Sequence, residues 1–201
     1  ASGNAMRVKP LTKNHENINS SIERCKKLSS YGGGTGHTNF RTGILVSFDI
    51  KYPQYFTKQL QRYHWVQYVS STSVMHSILK MNINNSCNKY VSEYIKVHIS
   101  KMIEFYNKLS ENSKDTSAVE SYLNYCDIVG YKCVDTNDLL YDCYMKIISD
   151  LPMGLELIVH VVTNYEQLAT IYKQRKNHKL KEDWGAFCQW IESLPYSEEL
   201  I

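Results

Sequence analysis

Val91, Tyr94, Ile95, His98, Met102, Phe105 and Leu109 fall at helical spacing, three or four residues apart but for the adjacent Tyr94 and Ile95. That spacing lays them along one face of a long α-helix. A helix with a single apolar stripe is stable only when other elements cover the stripe, so the chain needs a packed core. Hydrophobic residues make up 43% of the 201 positions, enough to build one and to exclude wholesale disorder. The surroundings of the stripe are also helical in pattern. After a polar linker over Lys108–Ser117, a second helix is predicted over Ala118–Cys126. A third is predicted to follow Asp135 and Thr136 as caps, with Leu139, Leu140, Cys143, Ile147 and Ile148 on its inner face.

The segments on either side have other periods. Ile44, Val46, Phe48 and Ile50 alternate with Leu45, Ser47 and Asp49, the period-two pattern of a half-buried strand. Leu155, Leu157, Val159 and Val161 alternate too, which fits a second strand or a buried helix rich in β-branched residues. Ile18, Ile22, Cys25 and Leu28 mark a short helix ending at Ser29–Ser30. Pro53 suits the first turn of another helix, whose face Tyr55, Phe56, Leu60 and Tyr63 would run to about Val69 before Ser70–Ser73 break it. Asn164 is placed to cap a helix through Leu168, Ile171 and Tyr172. Trp184, Phe187, Cys188, Ile191 and Leu194 give a last helix, stopped by Pro195. Residues 6–201 are thus expected to form one domain, with 77–150 as a mostly helical insertion. Residues 1–5, before Met6, look like an expression-tag remnant.

Charge narrows the partners. Lys and Arg number 23 against 20 Asp and Glu, a net +3, too small a surplus for the dense basic face of a nucleic-acid binder. No stretch approaches the roughly 18 apolar residues of a membrane span, and no secretory signal follows Met6, so a cytoplasmic protein is expected. Cys25, Cys87, Cys126, Cys133, Cys143 and Cys188 form no C-x-x-C pair and lack zinc-finger spacing to His. They are expected to be reduced and mostly buried as small apolar residues. Tyrosine is abundant, 16 against 5 Phe. This suits wet clefts and subunit interfaces, and it also suits the drift of an AT-rich genome.

Three segments concentrate polar chemistry. Gly32, Gly33, Gly34 and Gly36 precede His37; this is a mobile loop, or a nest of backbone amides for an anion, without the spacing of a P-loop. Gln59, Arg62 and Tyr63 would share a helix face leading to His64 and the hydroxyls Ser70, Ser71, Thr72 and Ser73. Arg62 can make bidentate bonds to a phosphate or a pyrimidine carbonyl, and Gln59 offers both donor and acceptor. Lys173, Arg175, Lys176, His178 and Lys179 crowd a predicted helix end, where cations are favoured by the helix dipole and an anion could also bind.

These motifs, in this order, resemble the flavin-dependent thymidylate synthase family. Gly36-His37, Phe48, Lys51, Pro53, Gln59 and Arg62 match its G-H-x-[ST]-P-F-E-H, strand and F-x-[IV]-K-x-P-x-F-x-x-R-Q-x-x-R-H-R pattern without a gap. Leu151-Pro152, Asn164 and Arg175 repeat its later spacing, with His178 and Trp184 near its H-A-Q-W-E. The resemblance covers about residues 36–76 and 151–190. It implies an α+β fold in which an antiparallel sheet packs with helices. It also implies FAD as cofactor, a pyrimidine nucleotide or related anionic substrate, a shared-site homotetramer, and reductive methylation of a deoxyuridylate, a methyltransferase reaction in which the protein positions and the flavin supplies the hydride. By position, Arg62, His64, Asn164 and His178 resemble cofactor contacts, and Gln59, Ser71, Ser73 and Arg175 resemble substrate contacts.

The departures bear on chemistry. R-H-R has become Arg62-Tyr63-His64. The nucleotide-binding x-N-E-x-S-x-R-Y is replaced by Ser70–His76. The second His of P-F-E-H falls on Gly43, and the phosphate-binding Arg before L-P falls on Ile148, with Lys146 the nearest cation. Charge-assisted bonds are worth roughly 1.5–3 kcal/mol each, so losing several should weaken the usual substrate severely. Two further readings follow: a non-catalytic descendant that keeps the fold and binds a nucleotide, and an inhibitory protein that uses only the scaffold. The compact, divergent chain suggests a phage or mobile-element setting.

Overall fold

Asn164 ends a strand and starts a helix in two consecutive residues. Its backbone is extended and its side-chain Oδ1 accepts the Gln167 amide at 2.9 Å, satisfying one of the orphan donors of the helix start. A computed structural model describes residues 15–32, 36–111, 115–132 and 138–201. The sequence expectations for 1–14, Gly33–Gly34, the Asp135–Thr136 cap and Cys133 lie outside them. Asn164 is buried, so Asn164→Ala removes a partner from a buried N–H. It should cost about 0.5–2 kcal/mol, measured as a shift of the urea midpoint at unchanged m.

The described elements are α1 (His15–Ser29), a 3-10 turn (His37–Gly43), β1 (Leu45–Pro53), α2 (Gln54–Leu60), β2 (Gln67–Ser71), α3 (Val74–Ser77), a second 3-10 turn (Ile78–Lys80) and α4 (Ile83–Ser86). Then follow α5 (Glu93–Glu111), α6 (Thr116–Val129), α7 (Leu139–Ser149), β3 (Glu156–Asn164), α8 (Tyr165–Arg175), α9 (Lys181–Glu192) and α10 (Ser197–Leu200). The chain divides into two compact units, residues 1–46 with 164–201, and residues 47–163.

In the first unit, α8 packs on the 3-10 turn and on α9, and α1 packs on α10. Leu168, Ile171, Trp184 and Ile191 are fully buried and form its centre. In the second unit, the long helix expected from the sequence is α5, which packs on α6 and α7. Met102, Phe105 and Leu109 of the expected stripe are buried, whereas Tyr94 and Ile95, in the first turn, are exposed and Val91 is buried just before the helix. Ile99, Met102, Tyr122, Cys143, Ile147 and Leu155 are buried together there. Gly154 sits where a Cβ would lie 2.5 Å from Val91 Cγ2 and 2.8 Å from Asn88 Oδ1, so only glycine lets the α7–β3 turn approach this core.

The sheet is small and antiparallel, in the order β1-β3-β2. Gln67 pairs with Val162, Tyr68 with Val161, Ser70 with His160 and Ser71 with Val159, with a bulge between Tyr68 and Ser70. Of the two readings of this alternation the strand holds, as β3, with Leu155 just before it in an isolated bridge to Cys87. Along β1 the odd-numbered residues Leu45, Ser47, Asp49 and Lys51 are exposed and the even-numbered ones are half-buried or buried, as the alternation predicts.

One expectation is overturned. The helix after Pro53 ends at Leu60 rather than near Val69, and Gln67–Ser71 are β2. Tyr63 and Val66 are buried while Arg62, His64 and Trp65 are exposed, so the turn anchors itself by those two apolar side chains. Aromatic and β-branched residues from Trp65 to Val69 suit a pleated surface, and the unpaired edge of β3 takes them up.

Candidate functional site

The end of α8 gathers cations on an aromatic platform. Arg175 is the last residue of α8, and its guanidinium carbon sits 4.7 Å from the centre of the Trp184 ring. Trp184 is completely buried on α9, so the face it offers is fixed. Such a stack is worth about 0.5–2 kcal/mol and, more usefully, holds the planar fork of an arginine in one orientation. His178 meets the same indole edge-on, 6.2 Å between centroids.

The backbone fixes the His178 tautomer. The Leu180 N–H donates to His178 Nδ1 at 3.1 Å, so Nδ1 carries the lone pair and Nε2 carries the proton. Burial lowers the His178 pKa, and the positive charges of Arg175 and Lys179 lower it further. The imidazole is thus a neutral donor in a positive local field. A field that disfavours a second cation favours an anion in the same place. A guanidinium fork and an Nε2–H donor fit a phosphate or a pyrimidine carbonyl. They also fit the anionic pyrophosphate of a flavin dinucleotide.

Asn164, at the other end of α8, does not share this patch. Eleven residues separate the two ends, about 16 Å at 1.5 Å per residue. Its Oδ1 is committed to the helix cap, which leaves the amide nitrogen as the group able to meet a ligand.

In the second unit the sequence-predicted residues are strung along α2, the turn, β2 and α3. Gln59 is half-buried near the end of α2, and Arg62 and His64 are exposed in the turn. The shared helix face of Gln59, Arg62 and Tyr63 is not found, because α2 stops before Arg62. His64 makes an edge contact with Trp65, 5.1 Å between centroids. Ser71 is opposite buried Val159 at the end of β2, and Ser73 stands at the start of α3, its carbonyl accepting Ser77 Oγ at 2.6 Å. Beside them a cleft of about 460 Å³ is lined by Gln54, Lys58 and Gln61 of α2, Met75 of α3, and Ile148 and Leu157. Gln59 and Arg62 are not among its lining residues.

Lys146, the nearest cation to the missing arginine position, is spent elsewhere. Its Nζ lies 2.5 Å from Asp142 Oδ2 and donates to Tyr122 Oη at 3.3 Å. Both charged side chains are at least nine-tenths buried, so Lys146 is unavailable to an external phosphate. Cys143 beside it is pushed up to about 12 by burial, and burial raises the Cys126 thiol as well. The five described cysteines are free, four of them buried, as the sequence suggested. No described group of three or more His, Cys, Asp and Glu is placed to hold a metal. Among the described residues no helix is long and apolar enough to cross a membrane.

Three polar groupings escaped sequence reasoning. Arg41 is buried in the 3-10 turn and faces Glu166 at 3.6 Å, with Thr38 donating to the same carboxylate. His98 is held between the hydroxyls of Tyr125 and Tyr131 at 2.8 and 2.7 Å. His160 is held between Ser47 and Asp49. Only the last left a signal, the alternation that puts Ser47 and Asp49 on one face of a strand.

No family model matches the chain, and no curated protein matches it in sequence. Its backbone is similar to solved structures of ThyX, the flavin-dependent thymidylate synthase of Helicobacter pylori, with FAD and dUMP. One covers 92% of this chain and 87% of its own, at 11% identity and a TM-score of 0.54. Another covers 89% and 91%, at 10% identity and a TM-score of 0.47. The first of these likenesses spans nearly the whole chain and concerns the fold. The chain has the α+β architecture of a ThyX-like protein, rich in helix around a small antiparallel sheet.

Proposed function

We propose that this chain binds a pyrimidine nucleotide, and FAD with it, on a distant thymidylate synthase-like scaffold. The observation that carries this is the end of α8, where Arg175 is pinned over Trp184 and His178 presents Nε2–H in a positive field. The fold likeness to a protein solved with FAD and dUMP supports the choice of ligand. In this reading the first unit supplies Arg175 as a nucleotide contact and Asn164 and His178 as flavin contacts, and the second unit supplies Gln59, Ser71 and Ser73 as nucleotide contacts and Arg62 and His64 as flavin contacts. Bound flavin would supply the hydride for reductive methylation of a deoxyuridylate-type substrate. The chain's own part is to fix the anion and exclude competing orientations. The active form is the homotetramer that the resemblance implies, in the cytoplasm of a phage-infected or mobile-element host.

The burial of Lys146 favours a second reading, a descendant that binds a nucleotide without turnover. The position that would neutralise a phosphate holds Ile148, and the neighbouring cation is paired inside the core. Removal of such a contact is worth roughly tenfold or more in affinity.

Visible absorption of the purified protein, before and after addition of excess FAD and removal of the unbound fraction, tests the cofactor. Calorimetry with dUMP tests the nucleotide. Binding of either should weaken at least tenfold in Arg175→Ala and recover only in part in Arg175→Lys, because an ammonium cannot reproduce the fork. A colourless protein that takes up neither FAD nor dUMP ends this reading. Bound FAD without consumption of dUMP and a folate methylene donor selects the non-catalytic one.

A further inference from the structure

The exposed face of the sheet carries a relay that the nucleotide reading does not use. Ser47 and Asp49 are alternate residues of β1, so their side chains leave the same face. His160 stands on β3, the central strand, and reaches both. Its Nε2 lies 2.9 Å from Ser47 Oγ, and its Nδ1 lies 2.8 Å from Asp49 Oδ1. A carboxylate only accepts, so Nδ1 carries the proton in neutral His160, and Nε2 is left as the acceptor for the serine hydroxyl. Acid, imidazole and hydroxyl therefore stand in the order, and the tautomer, that activates a serine nucleophile.

Two neighbours shape what could reach it. Ile158, two residues before His160 on the same face, is 54% exposed, an apolar contact for an acyl chain. Ser70 pairs with His160 from β2 beside the bulge, where the ladder is interrupted and the face opens. Ser47 itself is exposed, so a substrate carbonyl has access to Oγ.

We propose that Ser47, His160 and Asp49 form a nucleophilic site that cleaves esters of short aliphatic carboxylic acids. Ser47 Oγ attacks the ester carbonyl and its proton passes to His160 Nε2. The bond to the leaving alkoxide breaks and that oxygen takes the proton back from His160. Water then attacks the acyl-serine, again giving a proton to His160, and the carboxylic acid leaves as Ser47 is restored. Asp49 is a positioning residue, holding the imidazole in the required tautomer.

The test uses the full chain with 4-nitrophenyl acetate as substrate and a fluorophosphonate as trap, the adduct located by peptide mass spectrometry. Ser47 should be the labelled serine, at least tenfold ahead of Ser70, Ser71 and Ser73. His160→Gln should abolish labelling, Asp49→Asn should slow it at least tenfold, and Ser110→Ala, on α5, should leave it unchanged. Ester hydrolysis should fall at least tenfold in Ser47→Ala, an exposed change of one oxygen that keeps the far-ultraviolet circular dichroism. Labelling spread evenly over the exposed serines, or hydrolysis unchanged in Ser47→Ala, would reduce the relay to a surface hydrogen-bond chain and overturn the proposal.

Discussion

Asp142→Ala should lower the unfolding free energy by about 3–5 kcal/mol, the usual cost of removing one partner from a buried charge pair. Asp142 and Lys146 lie four residues apart on α7, and on an exposed helix such a pair contributes only a few tenths of a kcal/mol. Here the side chains keep 5% and 10% of their surface, and Nζ and Oδ2 are 2.5 Å apart. Tyr122 donates to the same carboxylate oxygen at 2.8 Å, and burial drives its own pKa up. Removing the carboxylate takes from Lys146 its acceptor at 2.5 Å, and neither the Tyr122 phenol nor the Cys126 sulfur at 3.8 Å carries a compensating charge. Asp142→Leu combined with Lys146→Met should recover most of the loss, because well-packed apolar residues match a buried pair. Urea unfolding gives the numbers, and alkylation of Cys143 gives an independent readout of opening. A loss below about 1 kcal/mol would mean that water reaches the pair and that it behaves as an exposed one.

Trp184→Ala should cost about 3–5 kcal/mol and should also impair ligand binding. The indole is fully buried, with Phe187 edge-on at 5.9 Å, so its removal leaves a cavity as well as losing transfer free energy. At roughly 2–4 °C per kcal/mol for a chain of this size, the melting temperature should fall by about 6–20 °C. Arg175 loses its platform in the same step, and its fork is no longer held in place. Trp184→Phe should restore much of the stability and only part of the binding, since a smaller ring offers less surface to a guanidinium. Equal recovery of both would separate Arg175 from the ligand and leave the stack a packing feature alone.

The residues that sequence reasoning placed correctly owe their structure to their near neighbours. The stripe through Met102, Phe105 and Leu109 needed only its own spacing, and so did the alternation of β1. Asn164 capped α8 as its position predicted, because a cap is a bond across three residues. The segment after Leu60 failed for the opposite reason. Trp65–Val69 carry apolar residues compatible with either element, and β3 decides between them from about ninety positions away, through the Gln67–Val162 and Tyr68–Val161 pairs. Arg62 was thereby moved from a helix face into a turn.

The helical middle, the alternating face of β1, the start of α8 and the cationic character of its end are legible in the chain alone. Each is a short-range consequence of side-chain period, backbone preference or charge. Which polar groups meet depends instead on long-range packing. His160 reaches Ser47 across 113 residues and Asp49 across 111, and Arg41 faces Glu166 across the first unit. The i,i+4 spacing of Asp142 and Lys146 was visible, but not the burial that turns a minor surface pair into a structural commitment. Hydrogen bonds act over about 3 Å, and a one-residue slip of a strand turns every side chain to the other face. Contacts of that kind are fixed by strand register and helix packing, which a linear pattern does not contain.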